Sequence, residues 1–399
     1  MGTMHCDVAV VGGGLVGLSL AFELAGGGAS VTVVDAGFPG RATDAGAGIL
    51  SPDTSADADR DSFEFGLGAA AHYPTLLAQL GAEGIDTGRT GYAGCGLLSV
   101  GLRPHEDAWF QPFAELVTAR SADVVSEITT STAETLFPPL GPVHRVLHCT
   151  SAARVDGRGL ADALRQGAQA RGVRMVSGTV RGVGGARTGD RGSTVRRVAV
   201  EGADDVRCGA LAVAGGAWSA AMGEWLKSPL PIVPTKGQIV HLGVPGPTES
   251  WPIVQPLMTH YLVPWPGGRV ACGGTFEVGA GFDAGVTAAG LHELLRECLI
   301  VAPGLADAQH LQTRVGLRPT APDDRPVAGA VPGWENVWVA TGHGASGLLL
   351  GPYTAKLLAE QITGTAPATP SVFWSTLSPA RFGEPTAGSG QEVTVLPCG

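Results

Sequence analysis

Val8-Ala9-Val10-Val11-Gly12-Gly13-Gly14-Leu15-Val16-Gly17, then the apolar run Leu18 to Ala25, the break Gly26-Gly27-Gly28 and the run Val31-Thr32-Val33-Val34-Asp35, is the stretch that decides the fold. It reads as strand, glycine turn, helix, strand and acid. Gly12 permits the tight turn, Gly14 lets the backbone approach a pyrophosphate with no Cβ in the way, and Gly17 lets the helix sit close on the strand. A phosphate then lies at a helix N-terminus, where free N–H groups and the helix dipole favour negative charge. Asp35 ends the second strand, where a carboxylate can accept hydrogen bonds from an adenosine ribose. A bare GxGxxG would say little in a chain with 61 glycines. With strand, helix and acid in place, a dinucleotide site is the expectation.

The 399 residues exceed what one core usually covers, which predicts two domains. A net charge of −10 and the absence of Lys or Arg runs argue against nucleic acid and anionic membrane as partners. The seven cysteines, Cys6, Cys95, Cys149, Cys208, Cys272, Cys298 and Cys398, are scattered with no CxxC pair. That suits reduced thiols rather than a disulfide frame or a metal site. No stretch reaches ~20 uninterrupted apolar residues, so a cytoplasmic chain is expected.

The run from Gly37 to Pro52, holding Ala42, Thr43, Ala47 and Gly48, is too rich in small residues for a stable helix interior. It suits a loop whose amides approach a ligand, or a flexible surface loop. Phe63 to Leu80 has helical spacing with Pro74 as a kink or break. From Ile85 to His148 the βαβ rhythm is lost: Gly96 to Val100 reads as a strand and Glu106 to Ala119 as an amphipathic helix. The rhythm returns with a helix Gly159 to Ala170, strands at Val173 to Val176 and Thr179 to Val183, a polar hairpin loop Gly184 to Thr194, and a buried strand Ala210 to Ala214 ending on Gly215-Gly216-Ala217-Trp218. A second excursion carries strands at Gln238 to Leu242, Tyr261 to Pro264 and Arg269 to Thr275 and a helix Leu291 to Val301. Gly316-Leu317-Arg318-Pro319 and Val337 to Ala340 lead back. Gly342-His343-Gly344-Ala345-Ser346-Gly347 then opens a helix, Leu348 to Ile362, a second N-terminus suited to negative charge. From Ala366 the chain is rich in Pro, Gly and Ser, and Gly383 to Gly399 reads as a mobile tail.

These landmarks together resemble the flavin-dependent amino-acid oxidase family that includes glycine oxidase, D-amino-acid oxidase and sarcosine oxidase. The resemblance covers residues 7 to about 382 and is closest to glycine oxidase. It rests on the Thr43-to-Pro52 run, Lys236-Gly237-Gln238, Tyr261-Leu262-Val263-Pro264, Gly273-Gly274-Thr275, Gly316-Leu317-Arg318-Pro319 with Asp323, and Gly342-His343 before Gly347-Leu348-Leu349-Leu350-Gly351-Pro352. It implies a fold of α/β plus antiparallel β: a Rossmann-like FAD-binding domain (1–84, 149–228 and 311–365) interleaved with an antiparallel-sheet substrate domain (85–148 and 229–310), followed by a C-terminal segment 366–399. It also implies non-covalent FAD, because Gly316 stands where sarcosine oxidases carry a flavin-linking cysteine. The FAD-binding residues so implied are Gly12, Gly14, Leu15, Val16, Gly17, Asp35, Ala42, Thr43, Ala47 and Gly48. Val180, Ala214, Gly215 and Trp218 join them, as do Gly342, His343, Gly344, Ser346, Gly347 and Leu348. No metal is implied.

Arg318 resembles the arginine that captures the substrate carboxylate through its guanidinium fork, against a structural ion pair as the plain alternative. Tyr261 resembles the tyrosine bonding the same carboxylate, against an aromatic packed on a sheet face. His343 is placed against the flavin ring, with a capping or packing role as the alternative. The sequence departs from glycine oxidase in the pocket: Ala345 replaces a second arginine, while Phe276 and Ile49 replace methionines. The expectation is an FAD-dependent amine oxidase of glycine-type substrates. An N-substituted glycine such as an N-carboxymethyl amine or β-amino acid would give hydride from its glycyl carbon to flavin N5. Oxygen becomes peroxide, and the imine hydrolyses to glyoxylate and an amine. This resembles glycine-oxidase homologues of natural-product pathways. The alternatives are a glycine oxidase of thiamine biosynthesis, a D-amino-acid dehydrogenase and a non-catalytic flavoprotein. Small-molecule substrate and O2 are the expected partners, with homo-oligomerisation left open.

Overall fold

The computed structural model describes residues 4–55, 58–187, 193–365 and 372–383. The opening strand, Met4–Val11, buries Val8 to Val11 and pairs in parallel with Val31–Asp35 on one side and Val206–Val213 on the other. Val31–Asp35 continues in parallel to Arg174–Ser177, and Val206–Val213 to Val337–Thr341. Strands buried on both faces read as continuous apolar runs, which is why this sheet was visible as runs and not as alternation. The helix Leu15–Gly26 is apolar all round, burying Leu15, Leu18, Leu20, Phe22 and Leu24. It is sandwiched between the sheet, the helix Gly347–Thr363 and the helix Gly157–Ala170. Thr179–Arg187 and Ser193–Glu201 form an antiparallel extension. Pairing runs to Arg187 and Ser193, so the hairpin loop is tighter than the expected Gly184 to Thr194, and its tip lies outside the described residues.

Both excursions feed a second eight-stranded sheet, in the order Gln309–Thr320, Val233–Gly243, Arg269–Gly273, Tyr261–Trp265, Ile253–Pro256, Leu97–Gly101, Arg145–Cys149 and Val125–Ile128. The excursions join where Leu97–Gly101 pairs in parallel with Ile253–Pro256. Val240, Leu242, Val254, Leu262, Val270 and Cys272 form a core with Leu294, Cys298 and Val301 of the helix Ala288–Val301, while on the opposite face Leu97, Ile239, Ile253, Val263 and Ala271 pack with Phe110, Phe113 and Val117 of the helix Asp107–Arg120. Gln309–Thr320 pairs with Val233–Gly243 along its whole length, so a division at residue 311 falls inside a strand of the second sheet.

Two local expectations are corrected, and the C-terminal segment gains an element. The helix Arg60–Ala82 runs through Pro74 without a break. Asp59 caps it by accepting from Ser62 N at 2.8 Å, and buried Tyr73 anchors its middle by donating to the Leu348 carbonyl. The small-residue run contains a one-turn helix, Ala42–Ala45. The C-terminal segment contains a docked helix, Val372–Thr376, whose Phe373, with Leu377 just after it, packs on Phe65 and Leu357. Apart from Gly383, the expected tail to Gly399 lies outside the described residues. Among the described residues no helix is long and apolar enough to cross a membrane.

Candidate active site

A cavity of about 1370 Å³ opens where the glycine ends of the first sheet meet the second sheet. It exceeds the ~300–1,000 Å³ usual for a single small ligand. The glycines of its floor are needed for two different reasons. Gly12 has φ +112°, and a Cβ there would lie 2.2 Å from the Ala214 carbonyl oxygen; at Gly17 it would lie 1.9 Å from the Gly12 oxygen. These two are imposed by the protein. A Cβ on Gly14 would meet only Thr43 Oγ1, at 3.4 Å, so whatever excludes a side chain at Gly14 is not protein. Thr43 Oγ1 accepts from Leu15 N at 3.0 Å, and Asp35 accepts from Gly13 N and Gly37 N, which fixes the turn. Along the walls stand Ala42, Ala47, Gly48, Val180, Ala214, Gly215 and Trp218, with His343, Gly344, Ser346, Gly347 and Leu348 at the last helix. Of the expected cofactor residues only Gly17 and Gly342 face elsewhere. Gly17 sits against Gly12 and Ala214, and Gly342, at φ +71°, against Val327 and Ile232.

His343 borders this cavity almost fully buried, with Nε2 lacking a partner among the described residues, and burial pushes its ring down to about 4. A neutral imidazole with an orphan nitrogen fits a site completed by a polar ring system. Gly316 lies beneath the Ala42–Ala45 helix and lines the same space, and among the described residues no cysteine lines it.

Opposite the glycines, the second sheet presents Arg318 and Tyr261. A Cβ on Gly237 would come 2.3 Å from Arg318 Nη1, and one on Gly274 would be 3.1 Å from both Arg318 Nη2 and Tyr261 Oη. The two side chains therefore converge on one point, in space that two glycines leave free. Arg318 Nη1 donates to the Thr275 carbonyl at 2.9 Å, and no carboxylate pairs with this guanidinium among the described residues. The structural-ion-pair alternative thus finds no acid. Burial pushes the Tyr261 phenol up to about 12 against the opposing pull of Arg318, so it stays protonated and able to donate.

Ile49 and Ala345 line the cavity, and Ile49 packs in one cluster with Tyr261, Phe113, Ile239 and Leu257. Phe276 departs from its expected place in the pocket. Its ring is 62% exposed and lies 5.6 Å from the Arg318 guanidinium carbon, so it shields the clamp from outside rather than lining the cavity. The loop that carries it is tied down by buried Lys236, 3.1 Å from Asp283 and 3.8 Å from Glu277, and by Gln238, which bonds Glu277 and Thr287. Gly237 and Gly274 stand in the sequence only as parts of motifs, and nothing local in it marks Ser99, Trp109, Phe113, Gln255 and Met258, which also line the cavity.

The family described as DAO, FAD dependent oxidoreductase, matches residues 7–361. The oxidoreductase YurR of Bacillus subtilis is 36% identical over 365 residues, covering 89% of this chain and 94% of that protein. A glycine oxidase of Pseudomonas aeruginosa is 31% identical, covering 90% and 95%. Among solved structures, iminodiacetate oxidase (IdaA) from Chelativorans sp. BNC1 superposes with a TM-score of 0.85 at 34% identity, covering 94% of this chain and 99% of that one.

Proposed function

Because the chain belongs to the DAO family of FAD-dependent oxidoreductases, we propose that it oxidises an N-substituted glycine, releasing glyoxylate and a longer amine or amino acid. The observation that carries this is the charge inventory of the cavity. Arg41 pairs with Asp35 and Asp44, Arg181 with Glu201 and Arg325 with Asp59, which leaves Arg318 as the lining guanidinium without a carboxylate among the described residues. One carboxylate is anchored, and the neighbouring wall of Ile49, Phe113, Leu257 and Met258 is apolar. Glycine would leave that wall uncovered, whereas an amine substituent buries against it at ~0.8 kcal/mol per CH₂. The relative named for iminodiacetate supports the reading, since iminodiacetate is itself an N-carboxymethyl glycine.

Bound FAD would supply the hydride acceptor for the glycyl carbon and the route for the two electrons to O2, which leaves as peroxide. The Gly12–Gly17 turn and the helix at Gly347 would hold it, without a covalent link. Arg318 grips the substrate carboxylate in a fork and Tyr261 donates a second hydrogen bond, which fixes the direction of the α-C–H. Phe276 covers the guanidinium and strengthens that grip by excluding water. Water then adds to the released imine and splits it into glyoxylate and the amine.

Two expected outcomes follow from this site. His343 is already neutral above pH 5, so kcat/KM should show no inflection near pH 6.5 and should rise only as the substrate ammonium loses its proton. An inflection near 6.5 that disappears in His343→Gln would assign the histidine a proton-transfer role instead. In a peroxide-release panel of glycine, sarcosine, D-alanine and longer N-carboxymethyl amines, the longer secondary amines should win. Ala345→Arg should move preference back toward glycine. A wild type that prefers glycine to every N-substituted glycine would leave plain glycine oxidation as the function.

A further inference from the structure

We propose that the amine substituent carries a hydrogen-bonding terminus, a carboxylate above all, read by Gln255 and Ser99; this rests on the N-substituted glycine reading and narrows its substrate class. The strand Ile253–Pro256 pairs with Tyr261–Trp265 through Val254 opposite Leu262, so antiparallel register sets Gln255 opposite Tyr261 on the same sheet face. In the next strand Ser99 stands beside Gln255. The three form a row across the sheet, Tyr261, Gln255, Ser99, and each lines the cavity. Directly opposed residues of a sheet stand about 5 Å apart and each further strand adds ~4.8 Å. The row therefore begins at Tyr261, beside the carboxylate clamp, and runs sideways along the cavity wall, where a substituent on the amine can reach it.

The side chains of Gln255 and Ser99 make no hydrogen bond among the described residues; Ser99 is 1% exposed and Gln255 is half-buried at the cavity wall. An amide and a hydroxyl that face the cavity and have no protein partner are free to pair with a ligand that enters it. The nearby residues Phe113, Leu257 and Met258 offer no alternative partner and suit an alkyl branch. Gln255 is neutral, and its NH₂ can donate twice to a carboxylate without the desolvation cost of a second buried cation. The class that fits is an N-carboxymethyl amino acid with an alkyl branch, rather than a simple N-alkylglycine.

The test uses the holoenzyme and two substrates of equal length, N-carboxymethyl-β-alanine and N-butylglycine, in wild type, Gln255→Leu and Ser99→Ala. A hydrogen bond to a charged group contributes roughly 1.5–3 kcal/mol, so Gln255→Leu should lower the ratio of kcat/KM, dicarboxylate over alkyl, about 10- to 100-fold, mainly through KM. Ser99→Ala should lower the same ratio by less. A merely structural role would reduce both substrates together and leave the ratio unchanged, which would overturn the proposal. Thioether analogues, in which sulfur replaces the amine nitrogen and no imine can form, give the same comparison as dissociation constants from the bound-flavin spectrum. If wild type prefers glycine, the function proposed above fails. If the thioether dicarboxylate still binds more tightly than the alkyl thioether, and loses that advantage in Gln255→Leu, the role of Gln255 survives that failure.

Discussion

Gly14→Val is expected to give folded protein that purifies without flavin. The three fingerprint glycines separate by cause. Valine at Gly12 or Gly17 would drive Cβ into a backbone oxygen at 2.2 or 1.9 Å and damage the fold itself, so those variants say little about ligand binding. At Gly14 the nearest protein atom to a new Cβ is 3.4 Å away, an ordinary contact, and the backbone there is extended at φ −79°. The protein can accept that side chain. A pyrophosphate lying against the start of the Leu15–Gly26 helix cannot, because it needs the same space. Thermal unfolding followed by circular dichroism should resemble that of wild-type apoprotein, while absorbance near the flavin bands vanishes and peroxide release falls with it. Full flavin occupancy in this variant would mean that the phosphates lie elsewhere.

The cradle was legible because its signals are local. Glycines at fixed spacing, apolar runs of strand length and an acid at a strand end can each be read within a short window. Arg318 and Tyr261 were legible for a different reason, since several ordered motifs carried the resemblance. The cavity wall at Gln255 and Ser99, proposed above to take the amine substituent, was not legible, because it is built by register. Nothing in Ile253-Val254-Gln255-Pro256 marks Gln255 until Val254 is known to face Leu262 and Ser99 to stand alongside. Phe276 misled for the converse reason. It follows Gly273-Gly274-Thr275 directly in sequence, yet the chain turns outward there and places the ring on the solvent side of the guanidinium.

Pro74 and the C-terminal segment show where local signals are overridden. A proline inside a helix removes one hydrogen bond, but burial of Tyr73, Leu76 and Leu80 holds the Arg60–Ala82 helix together across it. The Pro, Gly and Ser content averaged over residues 366–399 concealed Phe373 and Leu377, which find a docking site on Phe65 and Leu357. Both outcomes depend on tertiary burial, which composition cannot report.

Arg318→Lys should reduce kcat/KM for the preferred substrate on the order of 10²-fold or more while leaving flavin content unchanged. The guanidinium occupies space kept open by Gly237 and Gly274, and one of its nitrogens is committed to the Thr275 carbonyl. Its remaining donors face the same point as the Tyr261 hydroxyl, so a carboxylate there can be gripped as a plane. Lysine preserves the charge but offers a single ammonium centre, which cannot bond Thr275 and present a planar fork together. The carboxylate then swivels, and the angle between the α-C–H and its acceptor is no longer fixed. A misplacement of about 1 Å at the reacting carbon costs ~10²-fold, so kcat should fall as well as KM rise. Spectral titration with the thioether carboxylates separates the two contributions, since it measures the grip without turnover. Kinetics like those of wild type would show that Arg318 only braces the sheet, and the carboxylate anchor would have to be sought among the paired arginines of the cavity wall.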